Sequence, residues 1–242
     1  MECLKFDIYG KYAFLKNPEN NMGTEFSFEH IHKPCLLGMI GCILGLDGKG
    51  SATKNNPYPE YYKRLKDIKV SIVPNKPIFN KFKDTITNAT GFANDGFSQI
   101  LNREILQNVR WTIYVLKNNI DEELWNKLCK LLGEHESSYP LYLGNNAYPA
   151  QIDNVELVRL NEVDDTEELV INSIFNKSII EEKYDFTEND LVLPYDLITY
   201  APIDLNKLLL YNYNWIEYTN LIIDVKNKDS LYAYKDEILY FI

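Results

Sequence analysis

The stretch His32-Lys-Pro-Cys-Leu-Leu-Gly-Met-Ile-Gly-Cys-Ile-Leu-Gly-Leu46 decides how the first half of this 242-residue chain is built. Pro34 stands where a helix can start, because the missing N–H of proline costs nothing in the first turn. The 13 residues from Pro34 to Leu46 carry no charge, yet a membrane-spanning helix needs about 20. The helix therefore belongs in a protein core. Gly38, Gly41 and Gly45 recur at spacings of three and four and so share one face. Each costs up to about 1 kcal/mol of helix propensity relative to alanine, so the helix needs a bare backbone on that side. Close packing on a sheet is the expectation, with ligand contact as the alternative.

Outward from this helix the pattern alternates between strand and helix. Upstream, Leu4, Phe6 and Ile8 alternate with polar residues, as in a half-buried strand. Tyr12-Ala-Phe-Leu-Lys16 follows, and Phe26, Phe28 and His30 alternate again. Downstream come a short helical candidate, Tyr58 to Asp67, and a strand around Val70, Ile72 and Val73. Residues 74–108 have no clean periodicity and carry a turn signal at Asn94-Asp95-Gly96; such a long irregular stretch is either functional or disordered. A β-branched strand runs from Val109 to Leu116. Asp121 opens a helix to Leu132, with Leu124, Leu128, Leu131 and Leu132 on one face and Gly133 as its stop. Tyr139-Pro-Leu-Tyr-Leu-Gly144 and a strand at Val155–Leu160 complete the series. This is the βαββαβ order of α+β ferredoxin-like (RRM-like) folds, a framework that serves many functions. Residues 161–242 are acidic, then strand-like, with eight tyrosines from Tyr195 to Tyr240 beside Trp215 and Phe241. The negative surroundings favour a β-rich packing extension over a base-stacking platform.

The net charge of −10 conceals an asymmetry. Residues 1–117 hold 16 Lys+Arg against 11 Asp+Glu, a balance of +5, and residues 118–242 hold 9 against 24, a balance of −15. Segment 49–83 alone has nine basic residues and two acidic ones, Glu60 and Asp67. A polyanion would meet the first half, since the local field outweighs the sum; a solvated face is the alternative. Lys5, Asp7 and Lys11 interrupt the first apolar stretch, so it does not read as a signal peptide. Cys3, Cys35, Cys42 and Cys129 show no paired spacing, which fits a reducing, cytoplasmic compartment. The absence of CxxC and HxxxH clusters argues against a structural zinc, and no cofactor is expected.

Few catalytic patterns survive inspection. Gly45-Leu-Asp-Gly-Lys-Gly-Ser51 imitates a phosphate loop, but Ile43 stands where the first glycine is required and a helix, not a strand, precedes it. Asp164-Asp165 and Glu181-Glu182 lack a nearby histidine and read as solvated faces. On a strand, His30 and His32 would face the same way just ahead of the glycine helix. With Tyr12 and nearby lysines they could form a metal-independent ribonuclease site, a histidine or lysine moving a proton during transfer to the 2′-OH. The alternative is that they are polar residues contacting RNA backbone or solvent.

Taken together, Phe6-Asp-Ile-Tyr-Gly-Lys-Tyr-Ala-Phe14, the His32–Leu46 helix, Leu101-Asn-Arg-Glu-Ile-Leu106 and Tyr142-Leu-Gly-Asn-Asn146 resemble the fifth-numbered Cas protein family of type I CRISPR systems, within the RAMP superfamily. The resemblance covers residues 4–160. It implies a ferredoxin-like domain over 1–160, a thumb-like insertion over about 74–108 that clamps RNA and meets the neighbouring backbone subunit, and a C-terminal extension over 161–242. It further implies a subunit of the hetero-oligomeric Cascade complex that binds the 5′ handle of the crRNA beside backbone and large subunits, away from any membrane. RNA contacts would then come from Tyr12, Lys16, His32, Lys33, Arg103, Asn145 and Asn146, with Arg103 as an RNA or thumb-anchoring contact. Many relatives have arginine after the Tyr-Leu-Gly glycine; Asn145 can hydrogen-bond there but brings no charge. One branch of the family cuts repeat RNA, and the others only bind. The compact chain and acidic, tyrosine-rich tail resemble the binding type, of subtype I-B.

Overall fold

A computed structural model describes residues 1–19, 23–53, 56–91, 96–163, 168–184 and 193–242. The predicted turn at Asn94-Asp95 and the acidic pair Asp164-Asp165 lie outside the described residues.

The order β1 (Glu2–Ala13), α1 (Lys33–Leu44), β3 (Val70–Pro74), β5 (Gln99–Leu116), α3 (Glu122–Gly133), β6 (Gln151–Arg159) makes the ferredoxin-like unit. These strands lie side by side as β6-β1-β5-β3, every neighbour antiparallel. Leu4, Phe6 and Ile8 of β1 register with Val115, Ile113 and Trp111 of β5, and all six are buried. Because side chains alternate along a strand, this face meets the apolar side chains Leu36, Ile40 and Ile43 of α1 and Leu124 and Leu128 of α3 in one core. Burying each such side chain contributes about 1.5–3 kcal/mol.

Both main helices begin with a side-chain cap. The Asp121 carboxylate accepts from the backbone N–H groups of Glu123 and Leu124, as its position ahead of the apolar face predicts. His32 caps α1. The expected role of Gly133 is corrected, because it is the last residue of α3 and His135, at φ 55°, takes the left-handed position beyond the end. The helix expected to reach Leu46 ends at Leu44, and Gly45, read as one of its interior glycines, is instead the left-handed residue that closes it, at φ 72°. Gly41 faces a helix instead of the expected sheet: a Cβ there would come within 2.5 Å of Tyr61 on α2 (Glu60–Leu65).

Within the stretch 74–108, two paired strands form a β-ribbon where an irregular loop was expected. β4 (Asn80–Asn88) pairs with the first half of β5 in nine registers, from Asn80↔Gln107 to Asn88↔Gln99. β5 therefore has 18 residues, more than twice the strand read from sequence at Val109 to Leu116. Apart from the buried Ile105 and Leu106, its extension carries exposed or half-buried side chains on both faces, so no apolar alternation announces it. On its other edge β5 takes β1 as far as Ala13↔Leu106 and then the parallel pair β2 (Thr24–Glu25) at Asn102 and Arg103. The strand expected at Phe26–His30 reduces to β2 and one bridge, Lys16↔Ser27.

The C-terminal extension is β-rich, as expected. Its strands are β7 (Asn161–Glu162), β8 (Glu168–Leu169), β9 (Phe175–Asn176), β10 (Ile180–Tyr184), β11 (Asp196–Leu205), β12 (Tyr211–Thr219), β13 (Ile222–Val225), β14 (Leu231–Tyr234) and β15 (Glu237–Tyr240). They form three small sheets, β10-β13-β8, β11-β12-β9 and β15-β14-β7. The extension is sewn to the ferredoxin-like unit. Ile174 N–H donates to the Ile72 carbonyl, and Ile242 N–H to that of Val70, each at 2.9 Å, closing the outer edge of β3. Leu239 and Phe241 cover Cys3, Tyr114, Leu116 and Val158 on the sheet face away from the helices. Tyr62 of α2 donates to the Asp204 carboxylate and accepts from Leu205 N–H at 2.7 Å.

The Tyr142-Leu-Gly144 motif is a packing device. Phe14 N–H donates to the Leu143 carbonyl at 3.0 Å, Leu143 is buried, and Gly144 adopts φ +79° with its missing Cβ only 1.9 Å from the Phe14 carbonyl oxygen. No side chain fits there. Gly144→Ala is expected to lower unfolding stability by at least about 2 kcal/mol. Gly133→Ala, with nothing near its Cβ position, is expected to be neutral or to stabilise by up to about 1 kcal/mol. Urea unfolding of both variants checks this, and equal midpoints would contradict the steric argument.

Candidate nucleic-acid interface

The two glycine-bearing motifs meet at one pocket. Its volume is ≈ 400 Å³, its floor is Gly38 and Cys42 of α1 with Gly144 beyond, and its walls are Tyr61, Tyr139 and Tyr142. Tyr139 is 51% and Tyr142 48% exposed, so both rings present free surface. Gly38 has no side chain to fill the space, and a Cβ built on it would still clear Tyr61 by 3.9 Å. The glycine face thus serves packing at Gly41 and leaves an apolar, aromatic-walled recess at Gly38. Asp47 is the charged residue on its lining, so the recess suits a flat uncharged ring better than a phosphate.

Beyond Gly144 lies the root of the β4–β5 ribbon. Tyr12 packs edge-on against Phe82 (5.5 Å between centroids) and Tyr148 (6.1 Å), with Lys11 Nζ 5.3 Å above its ring. Arg103 lies across from Asp84 in the ribbon, 5.0 Å over the Phe14 ring, and donates from Nε to Glu25 at 2.8 Å. Lys16 Nζ reaches the same carboxylate at 2.5 Å. Burial alone would raise the Glu25 carboxyl, but Lys16 and Arg103 outweigh it and hold it below the usual range. Arg103 and Lys16 therefore tie β2 to the ribbon. Asn145 accepts from Ala147 N–H at 2.9 Å and shapes the loop, while Asn146 beside it is exposed.

The histidines do not share a strand face as anticipated. Both sit in the coil before α1 and both are buried, His30 at 8% and His32 at 6% exposure. Trp111 Nε1–H donates to His30 Nδ1 at 3.4 Å, so its Nε2–H is the proton that the Pro77 carbonyl accepts at 2.9 Å. Burial pushes His30 down to about 4, Lys81 adding and the Pro77 carbonyl opposing, and pushes His32 down to about 3. His32 Nδ1 accepts from Cys35 N–H at 3.3 Å, and its ring packs between Phe28 and Tyr211. These are neutral framework groups, poorly placed to shuttle protons. Lys33, next in sequence, faces a different cleft with Lys66 and Lys69. Its Nζ donates to the Ile242 carbonyl at 3.2 Å, and burial followed by Lys69 lowers it to about 8, with Asp204 and Asp67 opposing.

The structure thus gathers Tyr12, Lys16, Arg103, Asn145 and Asn146 around the ribbon root and separates His32 and Lys33 from them. The basic segment is dispersed: Lys81 pairs with Glu29 and Glu104, and Arg64 lies near Glu60 and Asp121. Sequence reasoning missed Tyr61, Tyr139 and Tyr142 as pocket walls. Two tyrosines flanking Pro140-Leu141 just ahead of the loop glycine were the available signal. No group of side chains that could hold a metal ion occurs among the described residues, and no described helix is long and apolar enough to cross a membrane.

No family model and no curated protein matches this sequence. Among solved structures, a CRISPR protein from Archaeoglobus fulgidus aligns over 99% of this chain and 98% of its own, with a TM-score of 0.53 and 10% identity. The fold is one that CRISPR proteins share. A chain from a CRISPR RNA-guided surveillance complex aligns over 92% of this chain and 90% of its own, with a TM-score of 0.50 and 14% identity. A structure described as a Cas protein matches over 60% of this chain and 57% of its own, at a TM-score of 0.39 and 13% identity, too low to support an argument. The first two likenesses run nearly end to end, so the C-terminal extension is included in the shared fold.

The buried histidines fix a pH dependence. A neutral histidine that titrates near 6.5 when unfolded and near 4 or 3 when folded leaves the unfolded state binding more protons in between. Stability is therefore full above about pH 6.5 and falls as pH drops, by up to roughly 1.4 kcal/mol per pH unit for each histidine. His32→Asn, which retains a capping acceptor, is expected to flatten the slope of urea midpoint against pH between about 6.5 and 4; an unchanged slope would show that His32 is not held neutral.

Proposed function

We propose that the chain is a non-catalytic subunit of a type I CRISPR effector of the Cascade kind, holding the 5′ handle of the guide RNA at one end of the backbone. The single observation that carries this reading is the meeting of the α1 glycine face and the Tyr142–Asn146 loop at an aromatic-walled pocket beside the ribbon root. Single-stranded RNA is held by bases stacked on aromatic rings and by backbone contacts, and guide pairing relieves such a subunit of reading sequence. Tyr139 and Tyr142 would stack a handle base; Tyr12, Lys11 and Asn146 would contact the strand leaving the pocket. In this reading the β4–β5 ribbon is the thumb that clamps RNA and meets the neighbouring backbone subunit, and its far end exposes Phe97 and Ile100. Arg103, engaged with Glu25, anchors that thumb. The end-to-end likeness to a chain from an RNA-guided surveillance complex supports a place in a hetero-oligomeric assembly. Engagement of both His30 ring nitrogens and burial of His32 favour binding over cutting. Subtype I-B rests on the sequence resemblance.

In complexes reconstituted with the partner subunits and labelled cognate repeat RNA in EDTA, the RNA is expected to stay intact. Tyr142→Ala should weaken handle affinity by about tenfold, the scale of one lost base stack, and Arg103→Ala should reduce assembly. Discrete cleavage products, or wild-type affinity for Tyr142→Ala, would count against the proposal.

A further inference from the structure

Aromatic stacking is blind to base identity, because every base has a π-face. The recess walled by Tyr139 and Tyr142 has one polar group that is not. Asp47 lines it from the loop after α1, and no basic side chain lines it with Asp47. The main chain of Asp47 is held at both groups. Its N–H donates to the Glu60 carboxylate at 2.9 Å, and its carbonyl accepts from Tyr61 N–H at 3.3 Å. The residue is thereby fixed against α2, which also supplies the Tyr61 wall. Asp47 is exposed, and its carboxylate enters no hydrogen bond or ion pair among the described residues. The Cys42 thiol, also on the lining, is spent on the Tyr139 and Pro140 carbonyls. What remains free for a ligand is one carboxylate, which accepts and cannot donate, beside tyrosine hydroxyls that do both.

A carboxylate beside flat rings separates the four bases by the edge each presents. Guanine carries two adjacent donors, N1–H and the 2-amino group, spaced to meet both oxygens of one carboxylate. Adenine and cytosine place a ring acceptor next to their amino group, and uracil flanks its single N–H with two carbonyl oxygens. Each of these three sets an acceptor against a carboxylate oxygen, and polar groups left facing without a bond cost more than the bond itself contributes. A phosphate in the recess meets like charge.

We propose that the recess is selective for guanine, the base lying against the exposed tyrosine rings and the Asp47 carboxylate accepting from N1–H and the 2-amino group. The inference rests on the RNA reading above and adds a base preference to it. Bases of single-stranded RNA are read on their Watson–Crick edges once they are splayed from the strand and stacked on aromatic side chains. One such pocket fixes which handle nucleotide enters it. It thereby sets the register of the guide along the complex without reading the guide sequence, which pairing already does.

The test measures, by fluorescence anisotropy, binding of the full chain to short labelled oligouridines that carry one central guanine, adenine, cytosine or inosine. The guanine oligonucleotide is expected to bind at least about tenfold tighter than the adenine, cytosine and all-uridine ones. Inosine, which keeps N1–H and lacks the 2-amino group, should fall between them. 7-Deazaguanine and 2′-deoxyguanosine at the same position should bind as guanine does. Asp47→Asn mixes a donor with an acceptor and has no side-chain partner to lose; it should abolish the preference and leave the all-uridine affinity unchanged. Tyr142→Ala should weaken every oligonucleotide by about tenfold. Equal binding of the four bases, inosine binding as tightly as guanine, or a preference retained in Asp47→Asn would overturn the proposal. Weaker binding of 2′-deoxyguanosine alone would assign the carboxylate to a ribose hydroxyl and overturn it equally. Any of these results with binding still weakened in Tyr142→Ala leaves the RNA reading standing without a base preference. Unchanged binding in Tyr142→Ala, or no saturable binding of any oligonucleotide, would overturn both.

Discussion

One strand carries this fold: β5 must satisfy hydrogen bonds along 18 residues, far beyond the reach of the helices that cover the central sheet. Its second half is flanked by β1 and β3 and is almost wholly buried, with Trp111, Ile113 and Val115 in the core. Its first half leaves that core and would expose unpaired backbone on both edges. β4 supplies one edge, and Ala13 followed by β2 supplies the other. The ribbon, the Glu25 ion pairs and the place of Arg103 all follow from that need for partners.

The ribbon root is held by charge and by the Phe14 backbone together. Glu25 binds Lys16 and Arg103, which fixes β2 to β5, and Gly144 seats its bare Cα against the Phe14 carbonyl. The loop after α3 is thereby drawn over the end of β1. That closure sets Tyr142 opposite the glycine face of α1 and forms the recess between them. Packing and recognition depend on the same glycines for different reasons: Gly41 admits Tyr61, Gly144 admits Phe14, and Gly38 leaves space unfilled.

The acidic extension has two tasks that its composition does not distinguish. Its strands close the free edge of β3 and cover the back of the sheet with Leu239 and Phe241, so it is part of the same packed body. Tyrosines there mostly pack: Tyr218 donates to the Pro74 carbonyl, and the Tyr240 hydroxyl accepts from the Asn176 side-chain amide. Tyr200 and Trp215 are different, since each leaves about half of its surface exposed. Composition averages these two populations into one aromatic, negative segment.

The sequence by itself determined the α+β order, the positions of α1, α3 and the strands of the core, and the cap at Asp121, because each rests on local periodicity or on a side chain reaching two or three residues ahead. It also singled out the glycine helix, since glycine at a costly position signals a close approach, while the Tyr-Leu-Gly loop stood out only through the family resemblance. Only the tertiary structure decided what approaches: α2 at Gly41, the Phe14 carbonyl at Gly144. It likewise turned residues 80–88 and 99–107 from apparent loop into ribbon, because outside Ile105 and Leu106 the two strands carry exposed or half-buried side chains on both faces and no apolar face betrays them. The burial of His30 and His32 was illegible for the complementary reason. Their partners Trp111, Pro77 and Tyr211 are far away in the chain, and whether a histidine is a framework group or a proton carrier is set by what surrounds the ring.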